Sequence, residues 1–376
     1  MTRAAAVLAL VLTAGAAAAA GQVPIRVTAS GSYESYDFDA GLAFSKIAEF
    51  AVPIGIVVPF GRVGDLTVST GLADVRLTSS DTAALADQIV SGMLDTEFRL
   101  SWNAVRERVV VFGTAVAPTG IETVQAEELA ILGVLASDII GFQAPTLGTG
   151  GSAGGGFGAA LPVGGSWSVG VGGSVRVPFK YLPVLGTTAK IKPGVDFRGR
   201  IGAEGPLARR TYVRVAGIFA HQTNNTYADT AETGVGNRLV GYVSLNQGIG
   251  NGSLSLYGYD VYRAKAQLAP TAVGLAALPR GNLLGAGAQY EFRIGQKVRA
   301  TPRAEYRYSW QAPDDTTGTL SKAGDSWRFE LGLRYIVSRV FDVVLQGGGA
   351  TGSLVQDAAS IGFSGWRGAL HFELTP

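Results

Sequence analysis

Cysteine is absent from this 376-residue chain, and histidine occurs twice, at His221 and His371. The absence of cysteine excludes a disulfide framework and is compatible with an exported protein that folds without one. No cluster of metal ligands is visible in the sequence, and Asp314, Asp315 and Asp325 are better explained as a solvated acidic loop. We therefore expect neither a metal nor another cofactor.

Long hydrophobic runs are also missing, because no stretch of about 18 apolar residues follows the N-terminus, although mean hydropathy is positive at +0.24. A helical membrane protein needs such runs, whereas a transmembrane β-barrel hides its apolar surface in alternation. Without Arg3 of the leader described next, Lys+Arg falls from 31 to 30 against 29 Asp+Glu, a net charge of +1. This balance gives no reason to expect a nucleic-acid partner.

Residues 1–20 have the pattern of a secretory signal peptide. Met1-Thr2-Arg3 is a short positive region, and Ala4 to Thr13 is apolar but too short to span a bilayer as a helix. Ala18-Ala19-Ala20 then offers a small-residue cleavage site. We predict export and a single mature domain over 21–376.

An alternation with a period of two runs from about Asn282 to Val337. A period of two is typical of β-strands, whose side chains point alternately to two faces. One face is apolar, with aromatic residues near the strand ends, and the other carries the charges. The apolar face comprises Leu284, Ala286, Ala288, Tyr290, Phe292 and Ile294, then Val298, Ala300, Pro302, Ala304, Tyr306, Tyr308 and Trp310, then Trp327, Phe329, Leu331, Leu333, Tyr335 and Val337.

These strands are longer than the usual five or six residues, and aromatic residues near strand ends are typical of a membrane interface. Short and long connections also alternate along the chain, as in bacterial barrels, and the expected long ones include 33–46 and 351–361. We predict an all-β fold, a transmembrane up-and-down antiparallel barrel of about 16 strands, or about 14 if the weakest segments are not strands. The predicted location is the outer membrane of a Gram-negative bacterium, with membrane lipid as a partner.

Both ends of the predicted barrel are visible. A first strand is expected near 22–32, and the last is Trp366-Gly368-Leu370-Phe372-Leu374. Apolar residues two apart near the C-terminus resemble the signal read by the barrel assembly machinery, although the chain ends in Leu374-Thr375-Pro376 instead of an aromatic residue. Pro302 lacks an N–H for the sheet, so we expect a bulge or a bend there.

The charged face should line a wet lumen, because a charge on the lipid face costs about 2–4 kcal/mol at mid-depth. Two interpretations remain open: Arg–Glu pairs that brace the wall, or a basic lining that favours anionic or carboxylate solutes. We also expect Arg303 and Arg307 to flank Glu305, with at least one arginine available to a solute anion. The predicted lining residues are Arg198, Arg200, Arg214, Arg238, Glu291, Arg293, Arg299, Arg303, Glu305, Arg307, Arg328, Glu330 and Arg334.

The long connection at 117–152 is the most unusual of the predicted loops. Glu122 to Phe142 has a helical pattern, and so does Asp81 to Leu94. Apolar outer loops are unexpected in water, so the 117–152 segment either packs as a lid, forms a site where a hydrophobic solute enters, or folds into the lumen. Its candidate loop or lid residues are Leu129, Leu132, Ile139, Ile140 and Phe142.

Two short motifs flank that connection: Pro118-Thr119-Gly120 and Pro145-Thr146-Leu147-Gly148-Thr149-Gly150. This pattern over residues 117–176 resembles outer-membrane barrels linked to the meta-pathway of phenol degradation. Those barrels are similar to the wider group of long-chain fatty-acid and aromatic-hydrocarbon transporters. The Asn-Pro-Ala signature of the fatty-acid transporters is missing near the N-terminus. The resemblance implies diffusion of a hydrophobic solute across the outer membrane.

The leading functional hypothesis is passive transport of small hydrophobic or amphipathic solutes through a basic-lined lumen. The alternatives are a general porin for polar or anionic solutes, and a structural or binding barrel that acts through its outer loops. We do not expect an enzyme. The glycine-rich run 148–158 is not followed by the Lys-Ser/Thr of a phosphate loop. A histidine-dependent lipase would need a serine beside its histidine, whereas Ser364 and His371 fall on opposite faces of the last strand.

Overall fold

The computed structural model describes residues 25–375 apart from 81–85, 107, 266, 269–279, 313–318 and 357. The predicted signal peptide lies outside the described residues. The strands are β1 (Arg26–Phe38), β2 (Phe44–Pro59), β3 (Gly64–Ser79), β4 (Gln88–Met93), β5 (Thr96–Val105), β6 (Val109–Ala117), β7 (Ser152–Val163), β8 (Trp167–Pro178), β9 (Ile191–Lys192), β10 (Asp196–Ala208), β11 (Thr211–Gln222), β12 (Asn225–Tyr227), β13 (Thr230–Gly234), β14 (Arg238–Ile249), β15 (Gly252–Arg263), β16 (Gln267–Leu268), β17 (Gly281–Ile294), β18 (Val298–Gln311), β19 (Ser321–Ile336), β20 (Phe341–Gln356) and β21 (Ala359–Leu374).

Sixteen antiparallel strands close into a barrel. β4 and β5 both pair with β3 and count as one barrel strand, interrupted at Leu94 and Asp95. The first and last strands close the barrel, with Val27 opposite Leu374 and Phe38 opposite Phe363. Closure leaves the barrel sheet without a free edge, which is the condition for a sheet to cross a bilayer. The prediction of an antiparallel barrel of about 16 strands is confirmed.

Short and long connections alternate as predicted, with two exceptions. The first strand continues through Tyr33 and Tyr36 to Phe38, so the expected long loop at 33–46 is wrong. The expected long loop at 351–361 is also wrong, since β20 and β21 leave only residues 357–358 between them. Polar residues misled the prediction at both places, because Ser, Glu and Asp are tolerated on a strand face turned to a wet or hydrogen-bonded interior.

The predicted helices are largely absent from the described residues. Gln88–Met93 forms strand β4 instead of the end of a helix, because Gln88 and Val90 pair with β3. Within 122–142 the helix α1 covers Leu129–Leu135 alone. Tertiary pairing overrides local propensity in both segments. Among the described residues, no helix is both long and apolar enough to cross a membrane.

Alternation of exposure identifies the two faces of the wall. Phe329, Trp366 and Phe157 expose 56%, 55% and 49% of their surface, whereas Glu305, on the opposite face, exposes 1%. An exposed aromatic and aliphatic surface around a closed barrel is the lipid-facing band of a membrane barrel. At Pro302 the pairing of β18 with β17 is interrupted but resumes in the same register, so the expected bulge there is wrong.

Parts of three long connections form a second, four-stranded sheet at the end opposite the chain termini. Its order is β16-β13-β12-β9. The Lys180 ammonium donates a hydrogen bond of 2.6 Å to Asp229 beside this rim sheet, and that bond lowers the pKa of the Asp229 carboxyl. The outer connections are therefore organised around the mouth of the barrel.

Candidate functional site

The connection between β6 and β7, residues 118–151 and called here the inner loop, folds into the barrel. Its helix α1 and the turn that follows pack against inward residues of β1 to β4 and β21. Of the predicted loop residues, Ile139, Ile140 and Phe142 are buried in this cluster, Leu132 is partly buried against it, and Leu129 is 44% exposed. Of the three arrangements considered from the sequence, the structure has the loop inside the lumen.

The turn after α1 offers its backbone carbonyls to the wall. The Arg307 guanidinium donates to the Asp138 carbonyl at 2.9 Å, and the Ser326 hydroxyl donates to the Ile139 carbonyl at 3.0 Å. Arg328 donates to the carbonyls of Ile140 and Gly141. Backbone carbonyls removed from water need protein donors, and β18 and β19 supply them.

Further along the inner loop, two backbone amides donate to the opposite side of the seam between β1 and β21. Gln143 donates its backbone N–H to Glu34 of β1 at 2.8 Å, and Ala144 donates to Glu49 of β2 at 3.0 Å. Both carboxylates are buried, at 0% and 1% exposure. The inner loop therefore bridges two parts of the wall that are far apart in sequence.

Both ends of the inner loop are tied to Asp95, the residue at the break between β4 and β5. The Asp95 carboxylate accepts from the Gly120 amide at 3.0 Å, and from the Thr149 amide and hydroxyl at 2.7 and 2.8 Å. A Cβ on Gly120 would lie 2.4 Å from the Leu147 carbonyl oxygen. The two short motifs noted in the sequence thus meet at Asp95, and their hydrogen bonds to its carboxylate hold the two ends of the loop together.

A buried ion network lies on the wall beneath the inner loop. Glu305 accepts from Tyr257 at 2.6 Å, Tyr259 at 3.1 Å and Arg307 at 2.6 Å, and from a close contact with Arg303. Each arginine thus holds the carboxylate through one nitrogen, and the tyrosines complete its shell. Arg303 keeps 34% of its side chain exposed, compared with 16% for Arg307.

A second cluster surrounds Glu330, which is buried on β19. It accepts from Gln346 at 3.0 Å and from a close contact with Arg367 of β21. Arg328 and Arg303 approach it at 3.8 and 3.9 Å. Buried carboxylates with several donors are strongly held, because an unpaired charge in such a place is expensive.

The remaining predicted lining residues differ in their partners. Arg299 pairs with Glu291, Arg334 with Asp342 and Glu373, Arg214 with Glu204, and Arg198 with Asp196. Within the described part of the chain, Arg200, Arg238 and Arg293 have no ion pair. All three share the strand face of the paired residues, by register with β11, β15 and β18 respectively.

The wall away from the inner loop carries mostly small residues, although the Phe112 ring of β6 lies over Gly156. On β7 and β8 the exposed side chains of Phe157 and Val175 mark the lipid face. The opposite face carries Gly154, Gly156, Gly158, Gly170, Gly172 and Ser174, called here the glycine strip. Among the described residues, no hydrogen bond joins the inner loop to the glycine strip. The loop thus leaves this side of the interior uncovered.

Sequence reasoning missed several residues of the interior. Glu34, Glu49 and Asp95 hold the inner loop, and Tyr257 and Tyr259 complete the shell of Glu305. The alternation Ser32, Glu34, Tyr36 on β1 was the available signal for Glu34.

Neither a family model nor a curated protein matches the chain. Among solved structures, one described as a bacterial polysaccharide outer membrane secretin has a TM-score of 0.51 at 8% identity, covering 94% of this chain and 98% of that chain. The CymD monoaromatic hydrocarbon channel has a TM-score of 0.45 at 14% identity, covering 96% and 91%. An outer membrane channel from Pseudomonas putida F1 has a TM-score of 0.39 at 11% identity, covering 95% and 96%.

The last two TM-scores lie below 0.5, so the assignment of the fold rests on the first comparison and on the closed barrel itself. At 8% identity that likeness establishes the fold. A closed barrel with an exposed apolar outer face and polar clusters inside is built to lie in a membrane. The chain is an outer-membrane β-barrel of the type found in Gram-negative bacteria.

Proposed function

We propose that the protein is a passive channel for small amphipathic solutes, and that the solute passes between the inner loop and the glycine strip. The observation that carries this proposal is the asymmetry of the interior. One side is filled by the inner loop, and the other presents residues with little or no side chain. A diffusion path needs space without strong, permanent contacts.

Arginines near the glycine strip support a preference for solutes that carry an anionic group. Arg176 of β8 and Arg200 of β10 lie on the strip's face by register, opposite Gly154 and Gly172 respectively. Neither has an ion pair among the described residues. Unpaired guanidinium groups along a wet path raise the local concentration of anions.

Planar-bilayer recording tests the proposal. In a KCl gradient we expect the wild-type reversal potential to indicate anion preference, and benzoate to permeate. Arg176→Gln combined with Arg200→Gln should shift the reversal potential toward zero while the conductance persists, since the wet interior solvates the change. The control is Arg339→Gln, an exposed residue in the turn between β19 and β20.

Each other outcome has a definite meaning. An unchanged reversal potential in the double variant removes the role given to these arginines. A large conductance to which benzoate contributes nothing favours a general porin of polar solutes. A barrel that is silent to both ions and benzoate contradicts the channel and favours a barrel that works through its outer loops.

A further inference from the structure

Two arginines of the outer half of the wall stand directly opposite each other. Arg238 begins β14 and Arg263 ends β15, and the two are cross-strand partners. Directly opposed residues have Cβ atoms about 4.5–5.5 Å apart and share one face. Like charges in that position repel, so an isolated pair of arginines here is destabilising.

Asp138 of the inner loop borders the cavity described below, but it forms no ion pair with either arginine. Among the described residues, neither arginine has an ion pair. The Arg263 Nε atom is buried and has no hydrogen-bond partner. A buried donor without a partner costs free energy, and a charged one costs more. Gly281, opposite Arg263 on β17, has no side chain with which to approach it.

Arg238 and Arg263 line a cavity of about 170 Å³ near the mouth of the barrel. Val261 and Leu283, which are also cross-strand partners, line its apolar part. Asp138 of the inner loop borders the same cavity. Its backbone carbonyl is held by Arg307 at 2.9 Å. The lining of the cavity therefore combines two arginines, one acidic residue on the inner loop and an apolar patch.

We propose that this cavity is a binding site for a small carboxylate with a short apolar body. A carboxylate has two oxygens and accepts from planar guanidinium groups, which here lie on adjacent strands. Its bound charge would relieve the repulsion between Arg238 and Arg263 and give the buried Nε–H an acceptor. The apolar body would lie against Val261 and Leu283.

The site deepens the proposed channel and rests on it for its role: a carboxylate captured at the mouth would be concentrated at the start of the path. Phosphate offers similar oxygens to guanidinium groups. Inorganic phosphate lacks the apolar body that fits Val261 and Leu283, so the site should prefer the carboxylate.

Isothermal titration calorimetry on the detergent-folded wild-type protein tests the site without any variant. The probes are benzoate, its neutral counterpart benzyl alcohol, and inorganic phosphate. We expect benzoate to bind at least about tenfold more tightly than either of the others, since charge-assisted hydrogen bonds contribute most of the affinity. Equal binding of benzyl alcohol would overturn the proposal, and tighter binding of phosphate would overturn the assignment to carboxylates.

Variants then locate the site. Arg263→Gln should weaken benzoate binding by about tenfold or more, and the double change with Arg238→Gln should reduce it to background. Arg339→Gln, in a distant turn, should leave binding unchanged. Heat-modifiable gel migration verifies that each variant is folded. A folded Arg263→Gln variant with wild-type affinity would place the binding elsewhere and overturn the proposal.

The outcomes separate this site from the channel. Benzoate binding lost in Arg263→Gln, in a barrel that conducts nothing, keeps the site and removes the channel. Benzoate permeation in bilayers without measurable binding keeps the channel and removes the site.

Discussion

The two sides of the barrel interior differ in how far their charged residues are buried. The wall from β17 through β21 to β4 is covered by the inner loop, and its carboxylates Glu305, Glu330 and Glu34 are buried and hydrogen bonded. The wall from β7 to β11 carries the glycine strip and exposed ion pairs such as Arg214–Glu204. The first side is organised like a protein core and the second like a solvated surface. Charged residues therefore have different roles on the two sides of one barrel.

The sharpest test of this difference removes one carboxylate from each side. Glu305→Gln leaves Arg307, whose side chain is 16% exposed, without its acid, and breaking a buried pair typically costs about 3–5 kcal/mol. Glu204→Gln removes an acid whose side chain is 36% exposed, and an exposed pair contributes about 0–1 kcal/mol. Urea unfolding of the detergent-folded proteins, followed by tryptophan fluorescence, measures both changes. Equal losses in the two variants would mean that the sides do not differ in this way.

A smaller effect on global stability is expected where the inner loop is tied down. Asp95→Ala removes the three hydrogen bonds that Gly120 and Thr149 donate to the Asp95 carboxylate. The wall keeps its own pairing, so we expect the barrel to fold and the loop to loosen.

Limited proteolysis measures that loosening. A glutamate-specific protease should cut faster at Glu127 or Glu128 in Asp95→Ala than in the wild type. The matched control is Asp229→Ala, which removes the acid bound to Lys180 beside the rim sheet. Cleavage at the wild-type rate in Asp95→Ala would show that the other contacts hold the loop without the hydrogen bonds to Asp95.

The smallest predicted effect concerns the glycine strip. A Cβ on Gly158 of β7 meets no atom within 4 Å. Gly158→Leu should therefore fold normally and add bulk to the proposed path, with a conductance reduced by up to about half, since channel selectivity and rate depend on pore width. Gly241→Leu is the matched control, because that Cβ is equally free and lies on the face of the exposed Leu239. Reduced conductance in Gly241→Leu alone would place the path elsewhere.

The barrel was predictable from the sequence because its signals are local. The alternation around Tyr306 and Trp327 gives the two faces, and turn spacing gives the order of the strands. The path of the inner loop was not predictable. It depends on Asp95 meeting Gly120 and Thr149, and on Glu34 meeting Gln143, contacts that join distant parts of the chain. A period of two shows which face a residue occupies but not what covers that face.

The same limit applies to the arginines. Arg303 and Arg200 have the same sequence signature, a positive charge at an inward position, yet the first is held by Glu305 and the second has no ion pair among the described residues. The tyrosines that complete the shell of Glu305 come from β15, two strands away. Partner identity is a property of the closed barrel and cannot be read from one strand.

The inner loop also has a consequence for how the barrel is completed. Its backbone binds Glu34 and Glu49 on one side of the β1–β21 seam, and Arg307 and Arg328 on the other. Those contacts can all exist only when the first and last strands have met. The inner loop thus holds together the first and last strands of the barrel by contacts on both sides of their seam. The closed barrel is therefore stabilised by the contacts of the inner loop inside the lumen as well as by the pairing of β1 with β21.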